Sequence, residues 1–263
     1  MGVDTTPGYW RHTATVDWCE ANYAVTPYIA EFANTMSSLF LVAAGLLPIG
    51  TWFFAKNLEL RYLVLHVLTA TVGVGSFLFH ATLMRETQFA DEVPMIWNGM
   101  ALAYVIFMVN ARKGEDRGHL AWSIPALLVV YSICVTAAMV FFPESPLLFQ
   151  NSYLLVVIAI ITLSVKRYVE STNRVAKFSC VLSLQSYLFV SIFWVLERQF
   201  CDWNRAIVGG SFHAIWHIGA AAGLFFNGLF WSLERLDVVY NKAGKAEIHY
   251  VSGVPYADIK VAP

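Results

Sequence analysis

Two histidines stand four residues apart in His213-Ala-Ile-Trp-His217, inside a stretch, 206–233, without any Asp, Glu, Lys or Arg. That spacing puts both imidazoles on one face of a helix. Polar groups are costly inside a membrane, so a histidine pair there marks a candidate site. A third histidine, His80, lies at the end of another apolar stretch, with Ser76 one turn before it and Asp91 at the mouth of the next. Three histidines leave a fourth position open on zinc, which is the arrangement of a hydrolytic metal site.

These residues need helices that cross a bilayer. The chain has 263 residues, 58% hydrophobic and 13% charged, against about 25% charged in a soluble domain. Seven segments lack charged side chains: 32–54, 62–84, 93–111, 120–142, 147–165, 178–196 and 206–233. Each approaches or exceeds the roughly 20 residues that span a membrane as a helix. Barrel strands would be about half as long and would alternate. The expected fold is all-α, a seven-transmembrane helix bundle. Residues 1–31 precede it, 32–233 form it, and 234–263 make a polar, partly ordered tail. No basic start with a short apolar core precedes the first span, so that span is expected to act as its own insertion signal.

With seven spans the termini lie on opposite sides. The side holding the tail and the loops after helices 1, 3, 5 and 7 carries thirteen of the 17 basic residues. The positive-inside rule places that side in the cytosol and the N-terminus in the lumen. His80 then falls near the lumenal end of helix 2, Asp91 at the lumenal start of helix 3, and His213 with His217 in the first turns of helix 7. All share one depth. His66 lies fourteen residues before His80, roughly 21 Å along the axis, and cannot join the same metal. His12, His119 and His249 lie outside the spans and are expected to be solvated.

Each residue also has a plainer reading. Ser76 could bond its own helix backbone, or donate to a developing oxyanion. Asp91 could cap helix 3, or act as general base toward water. Asp17, Glu20, Asn22 and Glu31 offer oxygen ligands that suit calcium, with backbone carbonyls completing the shell; read alone, a solvated acidic lip is favoured. Cys134 and Cys180 lie inside spans as apolar filler. Cys19 and Cys201 are both in lumenal segments, where an oxidising compartment allows them to pair. Pro48, Pro94 and Pro125 fall in or at the start of helices. The glycines of Gly73-Val-Gly75-Ser76 and Gly219-Ala-Ala-Ala-Gly223 suit close helix contact.

Six blocks together resemble the alkaline ceramidase family across nearly the whole chain: Asp17-Trp-Cys-Glu-Ala-Asn-Tyr23, Tyr28-Ile-Ala-Glu-Phe32 with Asn34-Thr35, Gly75-Ser-Phe-Leu-Phe-His80, Asp91-Glu-Val-Pro-Met95, Phe193-Trp194 with Phe200-Cys201, and His213-Ala-Ile-Trp-His217. The resemblance implies a seven-helix zinc amidohydrolase of the endoplasmic reticulum or Golgi. It implies zinc on His80, His213 and His217, with Ser76 and Asp91 as catalytic partners. It also implies calcium on Asp17, the Trp18 carbonyl, Glu20, Asn22 and Glu31, and a disulfide between Cys19 and Cys201. The tail after Arg235 has no firm match.

The expected activity is hydrolysis of a membrane-embedded ceramide, phytoceramide or dihydroceramide to a sphingoid base and a fatty acid, with no nucleic-acid partner. A zinc-containing receptor of the adiponectin-receptor type is the alternative, and the 17–22 block and the lumenal N-terminus argue against it. A transporter would need polar residues across the bilayer centre, whereas here they gather at one side.

Overall fold

The computed structural model describes residues 6–54, 59–111, 120–241, 246–251 and 254–259. Lys56, Arg112, Lys113, Arg117, Lys242, Lys245 and Lys260 of the charge argument, and His119, lie outside the described residues. The chain forms α1 (Phe32–Phe54), α2 (Leu60–Thr82), α3 (Arg85–Phe107), α4 (Leu120–Phe141), α5 (Pro146–Glu170), α6 (Arg174–Gln199), α7 (Cys201–Val208) and α8 (Phe212–Leu236). A π-helical turn, Asp237–Asn241, follows, then an antiparallel hairpin of β1 (Ala246–Val251) and β2 (Val254–Ile259). Six helices, α1, α2, α4, α5, α6 and α8, are long and apolar enough to cross a membrane. The seventh long helix, α3, carries Arg85, Glu86, Asp91 and Glu92 in its first half. It packs closely against α2.

Several boundaries differ from the expectation. The third helix starts at Arg85, eight residues before the apolar run at 93. Asp91 is therefore inside α3 and does not cap it. The charges of Arg85, Glu86 and Glu92 hid a helix whose Gln88, Asp91 and Glu92 are buried by tertiary packing. The seventh apolar segment is broken at Gly209 and Gly210, which have φ of 66° and 88°, so α7 is a separate short helix. A Cβ at Gly210 would strike the Cys19 carbonyl, so only glycine lets the N-terminal segment lie there. Between α5 and α6 the expected twelve-residue connection shrinks to Ser171–Asn173, because both helices extend through their charged ends. Asn173 caps α6 by accepting from the Val175 and Ala176 N–H groups.

The helices pack through small residues. On α2, Gly73 lies against the backbone of α1 at Val42, and Gly75 lies against Ala90 and Asp91 of α3. The Ala90 carbonyl is the one whose helical partner is missing, because Pro94 has no N–H. Gly75 brings the α2 backbone against that freed carbonyl. Gly219 and Gly223 of α8 receive Val190 and Tyr187 of α6. Pro48 and Pro125 are also interior to their helices.

At the end of the bundle away from the histidines, charged residues close the helices together. Glu234 accepts from Arg167 Nε at 2.5 Å and from Ser171 Oγ at 2.5 Å. Arg235 Nε bonds Glu59 at 2.7 Å, and its Nη1 donates to the Val109 carbonyl at 2.9 Å. Glu234 and Arg235 are buried, so α8 runs on past the charge that ended its apolar segment. At the other end a disulfide joins Cys19 to Cys201, with Cα atoms 5.4 Å apart. Cys180 is buried in the core and Cys134 is exposed on α4.

Adding bulk where α2 meets α3 is expected to separate them. Gly75→Val should lower the thermal unfolding midpoint of the detergent-solubilised protein, by an overpacking cost of about 1–3 kcal/mol. An unchanged midpoint would contradict the close contact.

Candidate metal centre

His80 comes from the last turn of α2, and His213 and His217 from the first turns of α8. One ligand atom from each lies within 4.8 Å of the others, and all three side chains are buried. Ring centroids are 5.1 Å apart for His80 and His213, 4.9 Å for His80 and His217, and 4.5 Å for His213 and His217. His80 Nε2 and His213 Nδ1 are buried with no hydrogen-bond partner. Unpaired buried nitrogens cost free energy, and a shared cation removes that cost. The residues therefore fit a metal.

The other ring nitrogens of His80 and His217 have partners. His80 Nδ1 lies 2.5 Å from Glu31 Oε2. His217 Nδ1 lies 3.1 Å from the Asn34 carbonyl and 2.8 Å from Ser37 Oγ. A carbonyl only accepts, so His217 carries its proton on Nδ1 and leaves Nε2 for a ligand. Glu31 can orient His80 in the same way, as carboxylates beside metal-binding histidines do. Trp18 stacks on His213 with centroids 3.6 Å apart.

Ser76 Oγ is 3.3 Å from His217 Nε2 and 3.0 Å from Ser38 Oγ. Asp91 is buried on α3, where Gly75 brings it beside the α2 turn that carries Ser76. It is not one of the three residues gathered for a metal. His66 is buried well down α2. His12 is only half exposed, and its Nε2 is buried, so it is not the solvated side chain expected.

The acidic segment is not a solvated lip. Glu31 is 0% exposed, and Glu20 and Asn22 are buried too. Glu20 accepts from the Ala33 N–H at 2.6 Å and the Asn34 N–H at 2.9 Å, capping α1. Glu31 accepts from the Trp18 N–H at 2.9 Å and from Asn34 Nδ2 at 3.0 Å. Asn22 Nδ2 donates to Asp17 Oδ1 at 3.2 Å. Burial pushes the Glu31 carboxyl up to about 8, with the Asp17 charge adding to the rise while bonds from Asn34 and Trp18 oppose it. Burial raises Glu20 as well, Glu31 adding and the α1 N–H groups opposing. The carboxylates thus lie close enough to repel one another, and a hard cation would relieve them.

Sequence reasoning missed Glu197, Gln88, Asn34, Ser37 and Ser38. Glu197 ended an apolar run and so resembled a boundary, yet it is fully buried. It accepts from the Cys19 N–H at 2.9 Å and from Asn204 Nδ2 at 3.2 Å, which places the disulfide and α7. Gln88 accepts from the Thr15 N–H at 2.9 Å and donates to Glu92 at 2.8 Å. It sits three residues before Asp91, in the part of α3 that the apolar pattern did not cover.

The fold and site define a helical membrane protein with a buried three-histidine cluster that a serine and an acidic N-terminal segment adjoin. The chain belongs to the ceramidase family, whose family model, described as Ceramidase, matches residues 10–258. It is 32% identical to alkaline ceramidase 3 of Mus musculus over 235 residues, covering 85% of each chain. An alkaline ceramidase of Saccharomyces cerevisiae is 32% identical over 89% of this chain and 80% of its own. One from Arabidopsis thaliana is 26% identical over 98% of both chains.

Glu31→Gln is expected to weaken divalent-metal binding at the histidines by about 10–100-fold, read by competition with a chromogenic chelator. His213→Ala should abolish it. Equal affinity in all three proteins would show that the histidines hold no metal.

Proposed function

We propose that the protein hydrolyses the amide bond of ceramides, releasing a sphingoid base and a fatty acid. The observation that carries this is the buried three-histidine cluster, with Ser76 bonded to His217, in a chain of the ceramidase family. His80, His213 and His217 would hold zinc, which supplies Lewis-acid polarisation of the amide carbonyl and lowers the pKa of a water. Asp91 takes the proton of the attacking water and later delivers one to the leaving amine. Ser76 donates to the oxygen that becomes negative in the tetrahedral state. Glu31 and the Asn34 carbonyl hold His80 and His217 in the ligating tautomer.

Calcium would be held by Asp17, the Trp18 carbonyl, Glu20, Asn22 and Glu31. The burial and mutual repulsion of the carboxylates support this reading. Because Glu31 also contacts His80, calcium there would steady the zinc ligand. In this reading α3 is a seventh span, 1–31 is lumenal, 32–233 is the catalytic bundle and 234–263 is cytosolic. The compartment is the endoplasmic reticulum or Golgi, which agrees with a disulfide at the lumenal end.

Purified protein is expected to cleave a labelled ceramide, and a panel of acyl chains would rank its preference. His217→Ala should lower kcat/KM by at least about 100-fold, as should chelation, with zinc restoring the chelated wild type. Full activity in His217→Ala would sink the assignment. For orientation, an Asn-x-Thr acceptor added before Trp10 should be glycosylated in microsomes, and one added after Ile259 should not.

A further inference from the structure

We infer that Ser38 is a positioning residue for Ser76, controlling where the Ser76 hydroxyl directs its proton. This rests on the hydrolase reading, since it concerns the oxygen that becomes negative as the amide is attacked. Ser38 is fully buried on α1, one turn beyond Asn34. Its Oγ lies 2.8 Å from the Asn34 carbonyl and 3.0 Å from Ser76 Oγ. A hydroxyl has one proton, so it can serve only one of these at a time.

Counting protons leaves two arrangements that keep a bond between the two hydroxyls. The Asn34 carbonyl accepts only, and it takes the His217 Nδ1 proton. With His217 Nε2 engaged by a ligand, that nitrogen no longer accepts from Ser76. In one arrangement Ser38 donates to the Asn34 carbonyl and Ser76 donates to Ser38. Both hydroxyls are then satisfied, and none points at the substrate. In the other, Ser38 donates to Ser76, and the Ser76 proton turns toward the site. Of these, only the second presents a donor to the developing negative oxygen while the Ser38–Ser76 bond is kept. The Asn34 carbonyl keeps its His217 and Ser37 partners in either case, so turning the Ser38 proton leaves no acceptor bare.

The consequence is differential stabilisation. In the resting state the Ser76 proton is held by Ser38, with no buried donor unpaired. As negative charge grows, both hydroxyls turn in concert, and the Ser38 bond polarises Ser76 as it donates. An interaction made only in the transition state raises kcat and leaves substrate binding alone. The plainer reading is that Ser38 merely bonds its own helix, as Thr35 and Ser132 do. Ser38 differs from them in having a second partner across the helix interface, and that partner is Ser76.

The test is a double-mutant cycle on zinc-loaded protein. Removing a direct oxyanion donor costs about 100–1,000-fold in kcat, so removing its orienting partner is expected to cost about tenfold. Ser38→Ala should show that loss with KM within about twofold and zinc content unchanged. Ser38→Thr, which keeps the hydroxyl, should recover most of the rate. In a Ser76→Ala background, Ser38→Ala should cost nothing more. Binding gives an independent readout: a ceramide analogue with an anionic phosphinate in place of the amide should bind about tenfold more weakly to Ser38→Ala. An uncharged ether analogue should bind both proteins alike. Additive losses in the double variant, an unchanged kcat, or zinc loss in Ser38→Ala would each overturn the assignment. If zinc-loaded wild type cleaves no ceramide, the hydrolase reading fails. Ser38 is then judged on the phosphinate, whose affinity must depend on Ser38 only when Ser76 is present.

Discussion

The Glu31 carboxylate is a charge-bearing group placed where no water reaches it, and the surrounding structure is arranged to satisfy it. The Trp18 N–H comes from the N-terminal segment, the Asn34 amide from α1, and the His80 imidazole from the end of α2. Breaking any one leaves a buried carboxylate short of partners, which costs more than the bond is worth in isolation. The N-terminal segment is therefore part of the core of the site. Trp18, adjoining that bond, reaches the stack on His213. One side chain thus ties three parts of the chain to a histidine whose other nitrogen faces the cluster.

Asn34 extends the same arrangement. Its N–H is capped by Glu20, its amide holds Glu31, and its carbonyl serves Ser37, Ser38 and His217. Glu31 and the first turns of α1 that follow it supply no member of the three-histidine group, yet they set the protonation pattern of two of its histidines. Ligand geometry alone does not define a metal site; the acceptors behind the ligands choose the tautomer and hold the rings. In this protein those acceptors come from one helix end, and that end is fastened by the disulfide, by Glu197 and by the Arg205 bond to the Cys19 carbonyl at 2.6 Å.

The helix ends had to depart from regularity for this to fit. Leu83 takes a left-handed conformation, φ 49°, and turns the chain from α2 into α3 within two residues. Its carbonyl receives the Thr13 and Ala14 N–H groups at 3.1 and 3.0 Å, so the strain of a non-glycine residue there is offset by fixed contacts. Gly75 then lets the α3 backbone at Ala90 and Asp91 approach α2 closely. Gly210 lets the chain pass under Cys19 before α8 begins. These are positions where backbone shape, not side-chain chemistry, decides whether the site assembles.

Most helices and the three histidines were legible in the residues, because apolar length, charge-free runs and a four-residue spacing are local properties. The shared depth of His80, His213 and His217 followed from counting helices. Other features were not legible, for one physical reason. Charge marks the edge of an apolar run, but it does not say whether a neighbouring element will cover it. Glu197, Glu234, Arg235, Asp91 and Glu92 all looked like boundaries and are all buried inside the helical structure. The acidic residues near 17–31 looked solvated when read alone, yet they are buried because the N-terminal segment folds back onto α1 and α2. By itself the sequence determined which groups could do chemistry and which stretches could cross a membrane. Only the tertiary structure decided which nitrogens face one another, which hydroxyl reaches Ser76 and which carboxylates lose their water, because these depend on contacts between residues far apart in the chain.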